Sequence, residues 1–160
     1  MTTQQNSLTL EQILQHQLEC TEHMIECLQK ERAALVSRDL NTLEEAVNDK
    51  SRYAEVLEEL DRGREHSIRM LGYKADIKGL QQCFNDLPNG AKLSGLWDRM
   101  LTNLRACQDD NIANGGILEH SRQHVEQALG ILRGQSGSPS VYSAQGNAAA
   151  DLGQRELAKV

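Results

Sequence analysis

An all-α fold, an elongated antiparallel bundle of three long helices in up-down-up order with coiled-coil-like seams, a short connector helix and a flexible C-terminal tail, is predicted by three features. Apolar residues recur at near-heptad steps, first at Leu14, Leu18, Ile25, Leu28 and Leu35, then at Leu43, Val47, Ala54, Leu57, Leu60, Ile68 and Leu71. That spacing lines each set along one helix face. Aromatic residues make up only 3% of the chain and proline occurs twice, while Leu, Gln, Glu and Ala dominate, a mix that favours long helices packed through aliphatic layers. No segment shows a convincing strand pattern.

Helix one is expected over about residues 8–37, capped by Ser7 or Thr9 with Glu11 or Gln12 near its first turn. The corner that follows, Ser37-Arg38-Asp39, carries no apolar side chain. Asp39 can accept from the orphan amides of a new helix, and Asn41 with Glu44 imitates a capping box, so either can start helix two. That helix is expected over about residues 39–72, with Gly72 as a left-handed C-cap. A connector over residues 73–93 then holds a short helix from Asp76 to Phe84, with Ile77, Leu80 and Phe84 on one side, and a strong turn signal at Leu87-Pro88-Asn89-Gly90. Its apolar residues are expected to cap one end of the core.

The third long helix is expected over about residues 94–133, with Leu96, Trp97, Met100, Leu101, Leu104, Cys107, Ile112, Ile117, Leu118, Val125, Leu129 and Leu132 as its apolar set. Gly115 and Gly116 fall inside it, each costing about 1 kcal/mol relative to alanine. They either break the helix or let another backbone approach closely. Because the apolar spacing resumes at once, a continuous helix is expected. Residues 1–133 thus form the bundle. From Gly134 the composition shifts to Gly, Ser, Gln and Pro, and residues 134–160 form a flexible linker and partner-binding tail, with Val141, Tyr142, Leu152, Leu157 and Val160 as its anchors. The stretch from Ala148 to Val160 is too short to hold as an isolated helix in water.

Composition also excludes function classes. With 17 Lys and Arg against 23 Asp and Glu, the net charge of −6 argues against a nucleic-acid binder and against an anionic membrane surface. The N-terminus is polar and no run approaches the roughly 18 apolar residues of a membrane span, so a cytoplasmic protein is expected. Cys20, Cys27, Cys83 and Cys107 form no C-x-x-C pair and read as reduced thiols packed as small hydrophobes.

Three histidine patterns suggest chemistry, and each has a plainer reading. His16, Cys20, His23 and Cys27 follow at i, i+4, i+7 and i+11 on one helix face, but ligands strung along a straight helix cannot converge on one tetrahedral ion. His120 and His124 flank no glutamate that would complete H-E-x-x-H, and read as a solvent-facing pair. The segment around His66 loosely imitates the acceptor of a histidine phosphotransfer bundle, yet Arg62, Arg64, Glu65 and Arg69 make an ordinary solvated face. There is no glycine-rich phosphate loop, no nucleophile motif and no pair of carboxylates set to differ in pKa. No enzyme, cofactor or metal site is expected. The remaining equipment, a helical body with a detached tail, suits protein binding, and the alternatives to the reading below are a generic helical adaptor and, behind it, a histidine phosphotransfer bundle.

In order along the chain stand Glu31-x-Ala33-Ala34-Leu35, the Asp39 corner, Lys50, Asn111-x-x-Asn114-Gly115-x-x-Leu118, Ala128-Leu129-x-x-Leu132 and Val141-Tyr142-Ser-Ala-Gln-Gly146. In this combination the chain resembles the FlgN-type flagellar export chaperones over nearly its whole length. The resemblance implies a cytosolic, non-enzymatic chaperone of type III flagellar secretion. It would bind the hook-filament junction proteins FlgK and FlgL through the end of helix three and the tail, and dock on the export gate component FlhA through the tail tyrosine, which Tyr142 matches. The contact residues so implied are Val125, Leu129, Leu132, Val141, Tyr142, Leu152, Leu157 and Val160.

Overall fold

Four helices account for most of residues 3–134, the part of the chain that the computed structural model describes, and no strand occurs among them. They are α1 (Thr3–Ser37), α2 (Leu40–Met70), α3 (Ile77–Asp86) and α4 (Gly90–Leu132). The chain divides into two compact units, residues 1–122 and 123–160, a division that falls inside α4. The linker and tail anchors from Val141 onward lie outside the described residues.

α1 contains neither glycine nor proline, so nothing interrupts its hydrogen-bond ladder. It begins at Thr3, earlier than residue 8, because neither expected cap acts as one. Thr9 Oγ1 donates back to the Gln5 carbonyl at 3.0 Å, inside the helix. Ser7 Oγ donates to Asn89 Oδ1 at 2.6 Å, across to the turn before α4.

The α1–α2 corner follows the local chemistry of its residues. Arg38 takes the left-handed conformation at φ 57°, and the Asp39 amide returns to the Ala34 carbonyl at 3.0 Å, closing α1. Of the two possible starts the chain uses Asp39. Its carboxylate accepts from the Thr42 hydroxyl at 2.7 Å and the Thr42 amide at 3.1 Å, and these bonds hold its pKa below the ordinary value. Beyond the corner the cross-links separate steadily in sequence, by 15 residues for Lys30–Glu45, 19 for Glu31–Lys50 and 33 for Cys20–Tyr53, which defines an antiparallel pair. α2 then ends as its glycine requires: Gly72 has φ 90°, and the Tyr73 amide reaches back to the Ile68 carbonyl at 3.1 Å.

α3 starts on Asp76, whose side chain accepts from the Gly79 amide at 2.7 Å. Leu80, Cys83 and Phe84 are buried, whereas Ile77 is largely exposed in the first turn, so Cys83 and not Ile77 completes the inward face. The turn after α3 is shorter than expected. The Gly90 amide bonds the Leu87 carbonyl at 3.0 Å, and a Cβ on Gly90 would lie 1.6 Å from the Phe84 carbonyl oxygen, so only glycine fits. α4 therefore begins at Gly90 and not at Ser94.

One apolar cluster packs Leu10, Leu14 and Leu18 of α1, Ile68 of α2, Leu80, Cys83 and Phe84 of α3, Leu87, and Leu93, Leu96 and Met100 of α4. The connector thus closes the end of the core, as its apolar residues suggest. Each buried leucine here contributes about 1.5–3 kcal/mol relative to exposure. A second, smaller cluster holds Met24, Leu28 and Cys107, flanked by Ile25, Tyr53 and Leu57. α4 continues through Gly115 and Gly116 without a break.

Candidate functional site

Within the first unit, α4 runs parallel to α1 at a fixed offset. Ser7–Asn89, Thr21–Asn103 and Arg32–Asn114 are each separated by 82 residues. The inward positions of α4 step 3 and 4 residues at a time: Leu93, Leu96, Met100, Asn103, Cys107, Asp110, Asn114 and Ile117, all buried or half-buried. The seam is apolar in its first half. Beyond Met100, Asn103, Asp110 and Asn114 interrupt it, and α1 supplies a partner for each.

Asn103 Nδ2 donates to Thr21 Oγ1 at 3.1 Å. Asp110 accepts from Arg32 at 2.8 Å. Asn114, only 3% exposed, is fully used: Nδ2 donates to the Leu28 carbonyl at 2.9 Å and to Glu31 Oε2 at 2.8 Å, and Oδ1 accepts from Arg32 Nε at 3.0 Å. Glu31, 7% exposed, takes its second bond from α2, where Lys50 Nζ lies 2.8 Å from Oε1 and also 3.1 Å from Asn111 Oδ1. An amide or carboxylate buried without such partners costs about 1–3 kcal/mol, so the layer is stable only as a set. Glu31, Lys50, Asn111 and Asn114, scattered through the sequence, therefore meet in one layer that ties α1, α2 and α4 together.

The cysteines belong to the packing. Cys20 Sγ donates to the Tyr53 carbonyl at 3.4 Å and Cys107 Sγ to the Thr21 carbonyl at 3.8 Å. Burial raises the thiol pKa of Cys20 and Cys27, and pushes Cys83 and Cys107 up to about 11. The row His16, Cys20, His23, Cys27 shares one side of α1 but differs in burial: the two thiols are buried, while His16 is exposed and His23 stacks on Tyr53 with ring centroids 5.3 Å apart. Among the described residues no three His, Cys, Asp or Glu side chains are placed to hold a metal ion. No helix among them is long and apolar enough to cross a membrane.

The sequence matches the FlgN protein family over residues 1–150, nearly all of its length. This chain belongs to the FlgN family. It is also similar to a crystal structure of a protein from Pseudomonas aeruginosa described as the flagella synthesis protein FlgN, with 26% identity and a TM-score of 0.64. That likeness covers 71% of this chain and 88% of the other. No curated protein matches significantly. FlgN membership supports a flagellar chaperone role.

Of the expected contact residues of this FlgN-family chain, three are described, and all lie on α4 in the second unit. Val125 is 59% exposed, Leu129 43% and Leu132 82%. Their i, i+4, i+7 spacing puts them on one side of the helix. Leu118 and Ile112, read from the sequence as part of the packed set, are also exposed, because the inward positions of α4 are those of the step above and neither residue falls on it. Val141, Tyr142, Leu152, Leu157 and Val160 are outside the described residues. Glu31, Lys50 and Asn114 stand out in the sequence as motif residues, but no local pattern assigns them a task. The signal was available: polar residues at Asn103, Asp110 and Asn114 continue an apolar heptad.

Proposed function

We propose that this FlgN-family protein is a non-enzymatic, cytoplasmic chaperone of flagellar type III export. It binds the hook-filament junction proteins FlgK and FlgL, prevents their premature association, and delivers them to the export gate component FlhA. The observation that carries the reading is the exposed side of α4 formed by Val125, Leu129 and Leu132, an apolar face without a described cover on a chain of this family. An amphipathic terminal segment of a cargo protein, laid on such a face, loses the surface through which it would self-associate. The tail from Val141 to Val160 completes the grip, and Tyr142 docks on FlhA. Ordering tail residues on the cargo opposes binding by roughly 1–2 kcal/mol each in backbone entropy, which keeps a large contact releasable at the gate.

The test uses the full chain, a truncation ending at Arg133, and the variant Val125→Ser/Leu129→Ser, each titrated with purified FlgK and FlgL by calorimetry. Both altered proteins keep the helical circular dichroism of the body and bind more weakly than the full chain. Binding of FlgK and FlgL by both at full strength would overturn the assignment.

A further inference from the structure

Two adjacent glycines in the middle of a long helix need a reason. Elsewhere in this protein the reason is visible: at Gly90 an added Cβ would strike the Phe84 carbonyl. At Gly115 and Gly116 nothing among the described residues, apart from the neighbouring residues and the helix's own backbone, lies within 4 Å of where a Cβ would stand, and α4 is helical on both sides of them. Neither a close approach nor a left-handed turn therefore requires glycine here. What remains is the backbone itself, since glycine has more conformational freedom in the open state and holds a helix less firmly than alanine.

The surroundings give that looseness a direction. Asn114, the residue just before the pair, is the most firmly held side chain of the upper seam, bonded to Leu28, Glu31 and Arg32 of α1. After the pair the inward step reaches only the half-buried Ile117, and the next large apolar residue, Leu118, is exposed. A fixed point, a weak point and an uncovered apolar stretch follow one another within five residues of α4. Gly95 and Gly130 are also open, but each is single and near an end of the helix.

We infer that Gly115-Gly116 is a hinge in α4, with Asn114 as its clamp, about which the C-terminal part of the helix changes direction to fit its partner. The partner part of this statement rests on the chaperone reading above, whereas the hinge does not. Local opening of helical amides of this kind is low in free energy where few contacts hold the backbone, and clamping one side confines the motion to the other.

The experiment measures the hinge in the free protein first. Spin labels at Thr102→Cys and Ser121→Cys, both exposed positions, lie about 28 Å apart along a straight helix at 1.5 Å per residue. The native thiols, buried and with raised pKa, react slowly with the label. Pulsed dipolar spectroscopy should give a broad distance distribution with a shorter component in the otherwise native chain, and one narrow distance near the straight-helix value in Gly115→Ala/Gly116→Ala. The alanine pair meets open space, so that variant folds and melts no lower than the native protein. Identical narrow distributions in the two proteins would overturn the hinge. With FlgK as the probe, the alanine pair should bind more weakly by on the order of fivefold, the low end of ordinary conformational coupling. Equal affinity for FlgK alongside a narrowed distribution would refute the partner-fitting part. Failure of both proteins to bind FlgK would refute the chaperone reading and, with it, the partner part, while the distance distributions still decide the hinge.

Discussion

Replacing Lys50 with methionine keeps the aliphatic stem and removes the ammonium that lies 2.8 Å from Glu31 Oε1. Glu31 stays where it is, its side chain 9% exposed, with Asn114 Nδ2 as its remaining partner in this layer. Asn111 also loses a bond, but it is exposed and water replaces it. The loss is therefore one hydrogen bond to a charged group plus a carboxylate that water cannot fully rehydrate, about 2 kcal/mol. With a urea slope of about 2 kcal/mol/M, the unfolding midpoint should fall by about 1 M in a titration followed by far-ultraviolet circular dichroism. The double change Glu31→Leu/Lys50→Met removes both charges together, so most of the penalty should be recovered and the cycle should close with a coupling of about 1–2 kcal/mol. If Lys50→Met alone moves the midpoint by less than about 0.3 M, the layer does not hold the helices together and the reasoning fails.

Two further outcomes follow from the same structure. Glu11 is held below its ordinary pKa of 4.5, chiefly by its hydrogen bond from Lys92 and then by that from Asn89. Its folded value being the lower one, its contribution is present above the unfolded pKa and is lost as pH falls through the folded value, so Glu11→Gln should flatten the acid limb of melting temperature against pH and leave the neutral region little changed. Cys83 and Cys107, raised to about 11, carry roughly one thiolate in a thousand at pH 8, and iodoacetamide followed by intact mass should leave them unmodified until the protein unfolds. Because their folded pKa is the higher one, their share of stability is intact below about 9 and disappears as pH rises towards 11.

How far the sequence could be read depended on where each residue finds its partner. Asp39 and Gly72 were legible because what they need lies within five residues: the Thr42 amide and hydroxyl for one, the Ile68 carbonyl and a positive φ for the other. Ser7 was not. It has the chemistry of a cap, yet its acceptor is Asn89, 82 residues away, and no local rule points there. Ile77 shares the spacing of Leu80 and Phe84, but periodicity does not say where along a helix the core stops, and the first turn of α3 lies outside it. The glycine pair was legible as a problem and not as an answer, since only the surroundings exclude a close approach.

The polar half of the α1–α4 seam clarifies why one helix can carry two kinds of surface. An apolar heptad carried unbroken from Leu93 to Leu132 would pair with α1 in several alignments a heptad apart, and equally with any other amphipathic helix. Asn103, Asp110 and Asn114 remove that freedom, because each finds its partners among Thr21, Leu28, Glu31 and Arg32 only in this one alignment of α4 on α1. An intruding apolar helix would leave the same groups buried and unpaired, which excludes it more firmly than any loss of contact area. The Val125, Leu129 and Leu132 positions carry no such polar group and stay permissive. Helix pairing within the chain is thus written in matched hydrogen bonds, while the face proposed above for cargo carries only exposed apolar area.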